Sequence, residues 1–387
     1  MKKADYQSLL LIILTMKILS KKISKLEEAK HQLDIMIDKA HNLMLELGTC
    51  SYGLFNDLRI LQSQIDDIRH VPHEEHLKYQ RSKDISRSWY SKMNKIVKDY
   101  NSQIKIEKKS GIVGAGIGVG IAAMGPTAAM GIATTFGVAS TGTAISSLSG
   151  AAAVNAALAW LGGGALAAGG GGMAAGSAFI SLTGPVGWTI AGIALTVSGI
   201  AYWVSKSNRD TLERIFLLIN KRDKKKYKNA ILDYEERIKR VKHETEILNE
   251  GIKKIGTYGV DYKTMTEEMQ YNLINYFNQM QSSTSLLVDP IRALLPDFTE
   301  NDFDMFIEKH QNLKQYKAQQ NLIVGLVNLL YLIRTNKSER NLIAKTFRKD
   351  KDFCEKMKLK DADVLNEDLM NIVQKILNWS YKNKKKN

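Results

Sequence analysis

The stretches that decide the fold read GIVGAGIGVGIAAMGPTAAMGIATTFG from Gly111 to Gly137 and FISLTGPVGWTIAGIALTVSGIAYWV from Phe179 to Val204. Both lie in a run of 96 consecutive positions, Ser110 to Ser205, that has no Asp, Glu, Lys, Arg or His and holds 22 of the 28 glycines. We call this run the uncharged block. All of the formal net charge of +15 lies on the two flanks. The block therefore has a different environment from the rest of the chain.

The length of the uncharged block predicts membrane-spanning helices. One span needs about 20 apolar residues, so the block has room for roughly two to four. The best single span is 179–204, which ends on Tyr202 and Trp203 just before Lys206. Aromatic residues beside a cation suit the headgroup boundary. The next best span is 111–137, where Pro126 predicts a kink or a re-entrant bend.

Small residues spaced four apart predict close helix contacts within the block. Gly114 and Gly118, like Gly116 and Gly120, have the spacing that lets two helices touch backbone to backbone in lipid. Glycine and alanine also make the block only marginally hydrophobic. It therefore fits two descriptions equally, a constitutive membrane protein or a segment that folds against the flanks in water and inserts later. The residues predicted to enter the membrane are Gly114, Gly116, Gly118, Gly120, Trp160, Trp188, Ile193, Tyr202 and Trp203.

Cations border the uncharged block on both sides. Basic residues near a span bind anionic lipid at about 1 kcal/mol per charge. The predicted lipid contacts are Lys108, Lys109, Lys206, Lys224, Lys225 and Lys226. The basic run 221–228 equally fits a solvated helix face, and the pI of about 9.4 raises nucleic acid as a rival partner. No aromatic and basic platform supports nucleic acid. Positive charge on both sides predicts that both flanks stay on one side of the membrane.

The flanks carry heptad patterns. From Ile12 to Leu47 apolar residues alternate by four and three, with Lys30 as one polar interruption. Such spacing predicts a helix that packs on another helix. Gly48 and Gly53 predict a break in that helix. A further apolar series follows, Leu54, Leu58, Leu61, Ile65 and Ile68, and Pro72 stops it.

Two more long helices are predicted beyond that proline. One runs from about residue 74 to 109, with Leu77 and Trp89 on its apolar face. The other carries a heptad from Tyr227 to Ile255, which Gly256 and Gly259 end. We expect the stripe of the first flank to bury against one of these two helices.

The rest of the chain predicts shorter helices, with the apolar run Leu322 to Ile333 as their core helix. No period-2 strand pattern stands out. The predicted fold is all-α, with long helical or coiled-coil arms flanking a Gly/Ala-rich hydrophobic membrane-inserting hairpin, and a C-terminal helical domain. The predicted domains are an N-terminal arm at 1–109, the membrane-inserting segment at 110–205, a second arm at 206–260, and the C-terminal domain with its basic tail at 261–387.

The sequence predicts no catalytic, cofactor or metal site. Residues 118–123 fit a loose dinucleotide-binding pattern, but the next acidic residue, Asp210, is far from the required position. The histidines in His70–His76 match no zinc spacing, and we interpret them as a solvated helix start with a secondary possibility of pH sensing. Cys50 and Cys354 form no disulfide framework. We therefore expect a protein that is not an enzyme.

An apolar hairpin between long helical arms resembles the ClyA/Hbl-type α-helical pore-forming toxins. The stretch from Ser140 to Gly176 is similar to the membrane-inserting region of apolipoprotein L-like proteins. The first resemblance implies a hydrophobic segment that hides in a soluble form and unfolds into a membrane. The predicted localisation is the membrane, reached either from a cytoplasmic pool that inserts into the inner or plasma membrane or from a released soluble form.

These patterns predict a membrane-inserting helical protein that permeabilises or depolarises a bilayer, as a pore-forming toxin or an intracellular membrane effector. Its expected partners are the lipid bilayer and either further copies of itself or a helical protein. A different class fits the same patterns, a membrane-anchored coiled-coil scaffold that binds a partner.

Overall fold

The structure is a computed structural model that describes residues 3–110, 127, 130, 131, 134, 135, 205–349, 354, 359 and 361–384. The described residues form helices joined by turns, with no β-strand among them, so the predicted all-α class is confirmed. The α-helices are α1 (Lys3–Asp66), α2 (His73–Ser110), α3 (Lys206–Ile255), α4 (Glu267–Val288), α5 (Glu300–Lys309), α6 (Gln320–Leu330), α7 (Lys337–Lys349) and α8 (Glu367–Lys384).

The chain folds into two compact units. Among the described residues, unit 1 comprises those up to Ile37, those at 205–225 and those from Pro296 onward, whereas unit 2 comprises those at 38–135 and 226–295. Helices α1 and α3 contribute residues to both units.

The heptad stripes of α1 and α3 face inward, as predicted. On α1 the stripe is buried from Leu33 to Leu47 and the series after it from Leu54 to Ile65, and Ile68 is buried just beyond the helix. On α3 the stripe is buried from Tyr227 through Ile255, with Thr245 and Ile252 half-buried. The earlier members of the α1 stripe lie outside the described side chains. Burial of one apolar stripe along each long helix gives unit 2 its core.

Helices α1 and α3 run parallel, as their polar cross-links show. Within unit 2, Lys39 pairs with Glu235 at 2.8 Å and Glu46 with Lys242 at 2.9 Å. Further along, the Asn249 amide donates to Asp57 at 2.8 Å. Partner numbers rise together along both helices, which fixes a parallel register. These pairs are largely exposed and contribute little energy, so the buried stripes hold the helices together.

Helix α2 runs back along α1. The Tyr79 hydroxyl donates to the Gln62 carbonyl at 3.0 Å, and the Phe55 ring stacks on the Tyr90 ring with centroids 4.4 Å apart. Helix α4 covers α2, with the Tyr79 and Phe277 ring centroids 5.4 Å apart. Unit 2 is therefore a helical bundle built on α1, α2, α3 and α4.

Two sequence predictions about these helices are wrong. Gly48 and Gly53 do not break α1, which continues through both of them to Asp66. A glycine weakens a helix by roughly 1 kcal/mol, and the buried stripe on either side of this pair offsets that cost. Leu77 is 52% exposed, because Tyr79 instead faces the core in the first turns of α2.

Unit 1 has an aliphatic and aromatic core built around α6. Nearly every residue of this helix is buried, from Leu322 to Leu330, so the predicted core helix is confirmed. A helix that is apolar all round needs neighbours on every side. Helices α5 and α8 pack against it, and α7 packs against α8.

One arginine of α3 caps the end of this core helix in unit 1. Arg222 Nη1 donates to the carbonyl oxygens of Asn328, Leu329 and Tyr331 at 3.1, 2.9 and 2.7 Å. Its Nε donates to the carboxylate of Asp223, which is fully buried, at 2.8 Å. The run 221–228 is therefore two-faced: Arg222 and Asp223 serve the core, whereas Lys221, Lys225 and Lys228 are exposed.

Candidate functional site

Part of the uncharged block lies inside the bundle of unit 2. Its described interior residues are Thr127, Met130, Gly131, Thr134 and Thr135, all of them helical. We call these five residues the docked segment. The last four of them are buried and Thr127 is half-buried. Spacings of three, four, seven and eight residues place all five on one face of a helix, and that face is turned into the protein.

The docked segment crosses α1 at a pair of glycines. A Cβ atom added to Gly48 would lie 2.0 Å from the Thr127 carbonyl oxygen and 2.7 Å from the Gly131 nitrogen. A Cβ added to Gly131 would lie 2.4 Å from the Met44 carbonyl oxygen. The two backbones therefore touch at a distance that no side chain allows. This contact explains why α1 has a buried glycine at position 48.

Hydroxyl groups hold the docked segment on its other sides. The Thr135 and Tyr234 hydroxyl oxygens are 2.9 Å apart in a hydrogen bond that joins the segment to α3. The Ile291 backbone N–H, in the turn after α4, donates to the Thr135 carbonyl at 2.8 Å. The Thr134 hydroxyl lies 3.5 Å from that of Ser51 on α1. Burial of Tyr234 raises the pKa of its phenol well above the ordinary value, so the hydroxyl stays neutral.

The chemistry of this contact is that of a weak, specific dock. Burying Met130 contributes about 1.5–3 kcal/mol, and each neutral hydrogen bond about 0.5–1.5 kcal/mol. Glycine and threonine add little apolar area. Free-energy contributions of this size fix the position of the segment, but they are small enough for a competing environment to displace it. The sequence predicted a helix break at Gly48 rather than a close contact, and it did not single out Ser51, Thr135 or Tyr234 as residues that hold this segment.

All nine residues predicted to enter the membrane lie outside the described part of the chain. These are Gly114, Gly116, Gly118, Gly120, Trp160, Trp188, Ile193, Tyr202 and Trp203. Both proposed spans, 111–137 and 179–204, lie outside it as well, apart from the docked segment. Within the described residues, no helix is both long enough and apolar enough to cross a bilayer.

The predicted lipid-contacting lysines occupy different settings. Lys108 and Lys109 belong to the last turn of α2, and Lys206 is an exposed residue at the start of α3. Lys224 donates to the Gln32 amide oxygen of α1 at 2.5 Å, within unit 1. Lys225 is exposed and Lys226 is half-buried.

The histidines of the predicted helix start do not converge. His70 Nδ1 lies 2.9 Å from the Asp261 carboxylate, whereas the His76 ring lies 3.3 Å from the Gln80 amide. Glu74 and Glu75 occupy the first turn of α2, where acidic residues favour the helix dipole. Among the described residues no group of three His, Cys, Asp or Glu has the geometry to hold a metal ion.

Comparison with known proteins gives no relative. No protein-family model, curated protein or solved structure matches the chain. The function is therefore argued from the residues and the site alone.

Proposed function

We propose that this chain is a membrane-inserting helical protein that stores part of its uncharged block in the bundle of unit 2 and permeabilises a bilayer when the block is released. The supporting observation is the glycine crossing of Gly48 and Gly131, together with the hydroxyl contacts around Thr134 and Thr135. They give a segment without any charge a specific place among water-facing helices.

The strength of the dock favours conditional rather than constitutive insertion. A membrane span gains from every apolar residue that leaves water, and it requires internal satisfaction of every backbone polar group. A helix already has its backbone hydrogen bonds made, so the docked segment can move as a helix. The docked contacts contribute only a few kcal/mol, which is comparable with the free energy that a Gly/Ala-rich segment gains on entering lipid. A bilayer, or a second copy of the chain, is therefore the partner that releases it.

A reversible disulfide between α1 and the docked segment, which we call the lock, tests this proposal. The hydroxyl oxygens of Ser51 and Thr134 lie 3.5 Å apart, so cysteines at both positions are close enough to bridge. The test protein carries Ser51→Cys and Thr134→Cys, with Cys50→Ser and Cys354→Ser to remove the native thiols. Oxidised protein should leave dye inside liposomes, and reduced protein from the same preparation should release it.

One result of the lock experiment would contradict conditional insertion directly. If oxidised and reduced protein release dye equally, the docked segment does not have to leave the bundle and conditional insertion is wrong. The single variants Ser51→Cys and Thr134→Cys, in the same background, form no bridge and control for the effect of the oxidant.

A charge in the best proposed span tests permeabilisation itself. Ile193→Lys places a cation at the middle of 179–204, at a cost of about 2.5–3.5 kcal/mol on insertion scales, and should stop dye release. Gly116→Leu adds bulk at a close helix contact while increasing hydrophobicity, and should preserve binding but impair release. If the unaltered protein sediments with liposomes and releases no dye, it is a membrane-anchored scaffold instead.

A further inference from the structure

A pocket of about 300 Å³ opens between α1 and α2 in unit 2, away from the docked segment. Three cations line it, Arg59 on α1 and Lys83 and Arg87 on α2, against one carboxylate, Asp66. Its volume is at the lower end of the range for small-ligand pockets. The pocket therefore combines space for a ligand with an excess of two positive charges.

The single carboxylate is already fully engaged. One Asp66 oxygen accepts a hydrogen bond from the Tyr79 hydroxyl at 2.6 Å, and the other pairs with the Lys83 ammonium. Burial acts to raise the pKa of Asp66, but the hydrogen bonds from Lys83 and Tyr79 and the charges of Lys83 and Arg87 outweigh it and hold that pKa low. Asp66 is therefore ionised at neutral pH and neutralises Lys83.

The remaining two cations of the pocket are Arg59 and Arg87. Both residues are exposed, and among the described residues neither forms a close salt bridge, although the charge of Arg87 also acts on Asp66. Guanidinium groups present planar forks of donors that match the oxygens of a phosphoryl group. Two arginines that line one concave surface and form no close salt bridge are therefore suited to an anion.

The floor of the pocket is rigid. The Lys83 side chain is 7% exposed, and the Gln62 amide donates to the Ser86 hydroxyl at 3.3 Å. The stacked rings of Phe55 and Tyr90 form one wall. Groups held in place by packing lose little entropy when they bind a ligand, which applies here to Lys83 and to the Gln62–Ser86 pair.

We propose that this pocket binds the phosphoryl group of a phosphate ester through Arg59 and Arg87, above the Lys83–Asp66 pair. Such a group is supplied either by a soluble metabolite or by a phospholipid headgroup, and both present the same oxygens. A dianion at this place neutralises the excess charge of the pocket and links α1 to α2. The pocket is separate from the docked segment, so this inference does not depend on the proposed function.

Calorimetric titration with glycerol 3-phosphate tests the soluble source. Arg59→Gln with Arg87→Gln removes both forks, and both side chains are exposed, so the fold should persist. The matched control is Arg81→Gln with Lys228→Gln, two exposed cations outside the pocket that lower the net charge equally. Affinity should fall by about tenfold or more in the pocket variant and change by less than about twofold in the control.

Vesicles of phosphatidic acid, compared with phosphatidylcholine alone, test the headgroup source. Selective binding to phosphatidic acid that the pocket variant loses and the control keeps assigns the site to lipid. Two results overturn the inference: equal affinity of the two double variants for both probes, or no binding of either probe by the unaltered protein. Because the titration needs no membrane, its outcome is independent of dye release.

Discussion

The core of unit 1 and the surroundings of the docked segment in unit 2 contain different kinds of side chain. In unit 1 the main core cluster consists of large apolar side chains from α3, α5, α6, α7 and α8, with Phe298, Phe303 and Phe306 among the fully buried ones. In unit 2 the interior around the docked segment contains Gly48, Gly131 and the hydroxyl groups of buried serine and threonine side chains.

This difference explains how one chain can combine a permanent core with a docked segment that can be released. Large aliphatic side chains stabilise the folded state by about 25 cal/mol for each Å² of apolar area that they bury, and this stabilisation is lost only on unfolding. Glycines and hydroxyls bury little apolar area, so their contact is specific without being strong. We therefore expect damage to unit 1 to unfold the protein, and damage to the dock to release one segment.

The largest expected effect is in unit 1, at Arg222. Changing Arg222→Met removes the ion pair that Arg222 forms with the buried Asp223 carboxylate and removes the cap from the end of α6. Breaking a buried pair in this way costs about 3–5 kcal/mol. Urea unfolding followed by far-UV circular dichroism measures the loss. The neighbouring exposed change Lys221→Met should stay within about 0.5 kcal/mol of the unaltered protein. Equal stability of the two variants would contradict this account of the core.

A pair of glycine substitutions on α1 should have opposite effects. Gly48→Ala forces a Cβ into the backbone of the docked segment, and such overpacking costs about 1–3 kcal/mol. Gly53→Ala meets nothing within 4 Å, and replacing a helix-interior glycine stabilises by roughly 0.5–1 kcal/mol. Hydrogen exchange measured by mass spectrometry should show faster exchange in the segment around Thr127–Thr135 for the first variant alone. Identical exchange in both would remove the glycine crossing as the reason for position 48.

The hydroxyl contact of the dock should show a smaller, coupled effect. Tyr234→Phe leaves the buried Thr135 hydroxyl without its partner, and Thr135→Val does the converse. Each change should cost about 1–3 kcal/mol, and the double variant should cost less than the sum. A double-mutant cycle from urea unfolding measures the coupling, and strictly additive costs would show that the two hydroxyls do not interact.

The smallest expected effect concerns acid stability in unit 2. The pKa of Asp66 is lowered in the folded state, so its contribution is present above the ordinary carboxylate pKa and is lost as pH falls through the lower folded value. The stability of the unaltered protein should therefore decline below about pH 4 more than that of Asp66→Asn. Thermal melts between pH 3 and 7 test this, and parallel curves for the two proteins would refute it.

The helices themselves were largely predictable, because burial on one side of a helix imposes a period that a single sequence displays. The stripes of α1 and α3 and the run that forms α6 follow from that rule. Their partners were not predictable, since a heptad shows which face is buried but not what covers it. The parallel pairing of α1 with α3 depends on contacts about 190 positions apart.

The dock and the capping arginine were missed for a more specific reason. A glycine in a helical pattern is equally consistent with a helix break and with the close approach of another backbone. Only the position of Gly131 distinguishes the two. Arg222 and Asp223 stand in a basic run that reads as a solvated face, and their burial follows from the end of α6 more than 100 positions later. Whether the described dock belongs to a membrane-active protein stays a prediction.

The direction of the helices in unit 2 has a topological consequence. Helices α1 and α3 run the same way and α2 runs back, so the chain leaves α2 and returns to α3 at the same end of this bundle. A loop tethered at one end of a bundle can be withdrawn without passing a chain terminus through anything. Release of the docked segment therefore requires no change in the order or direction of α1, α2 and α3.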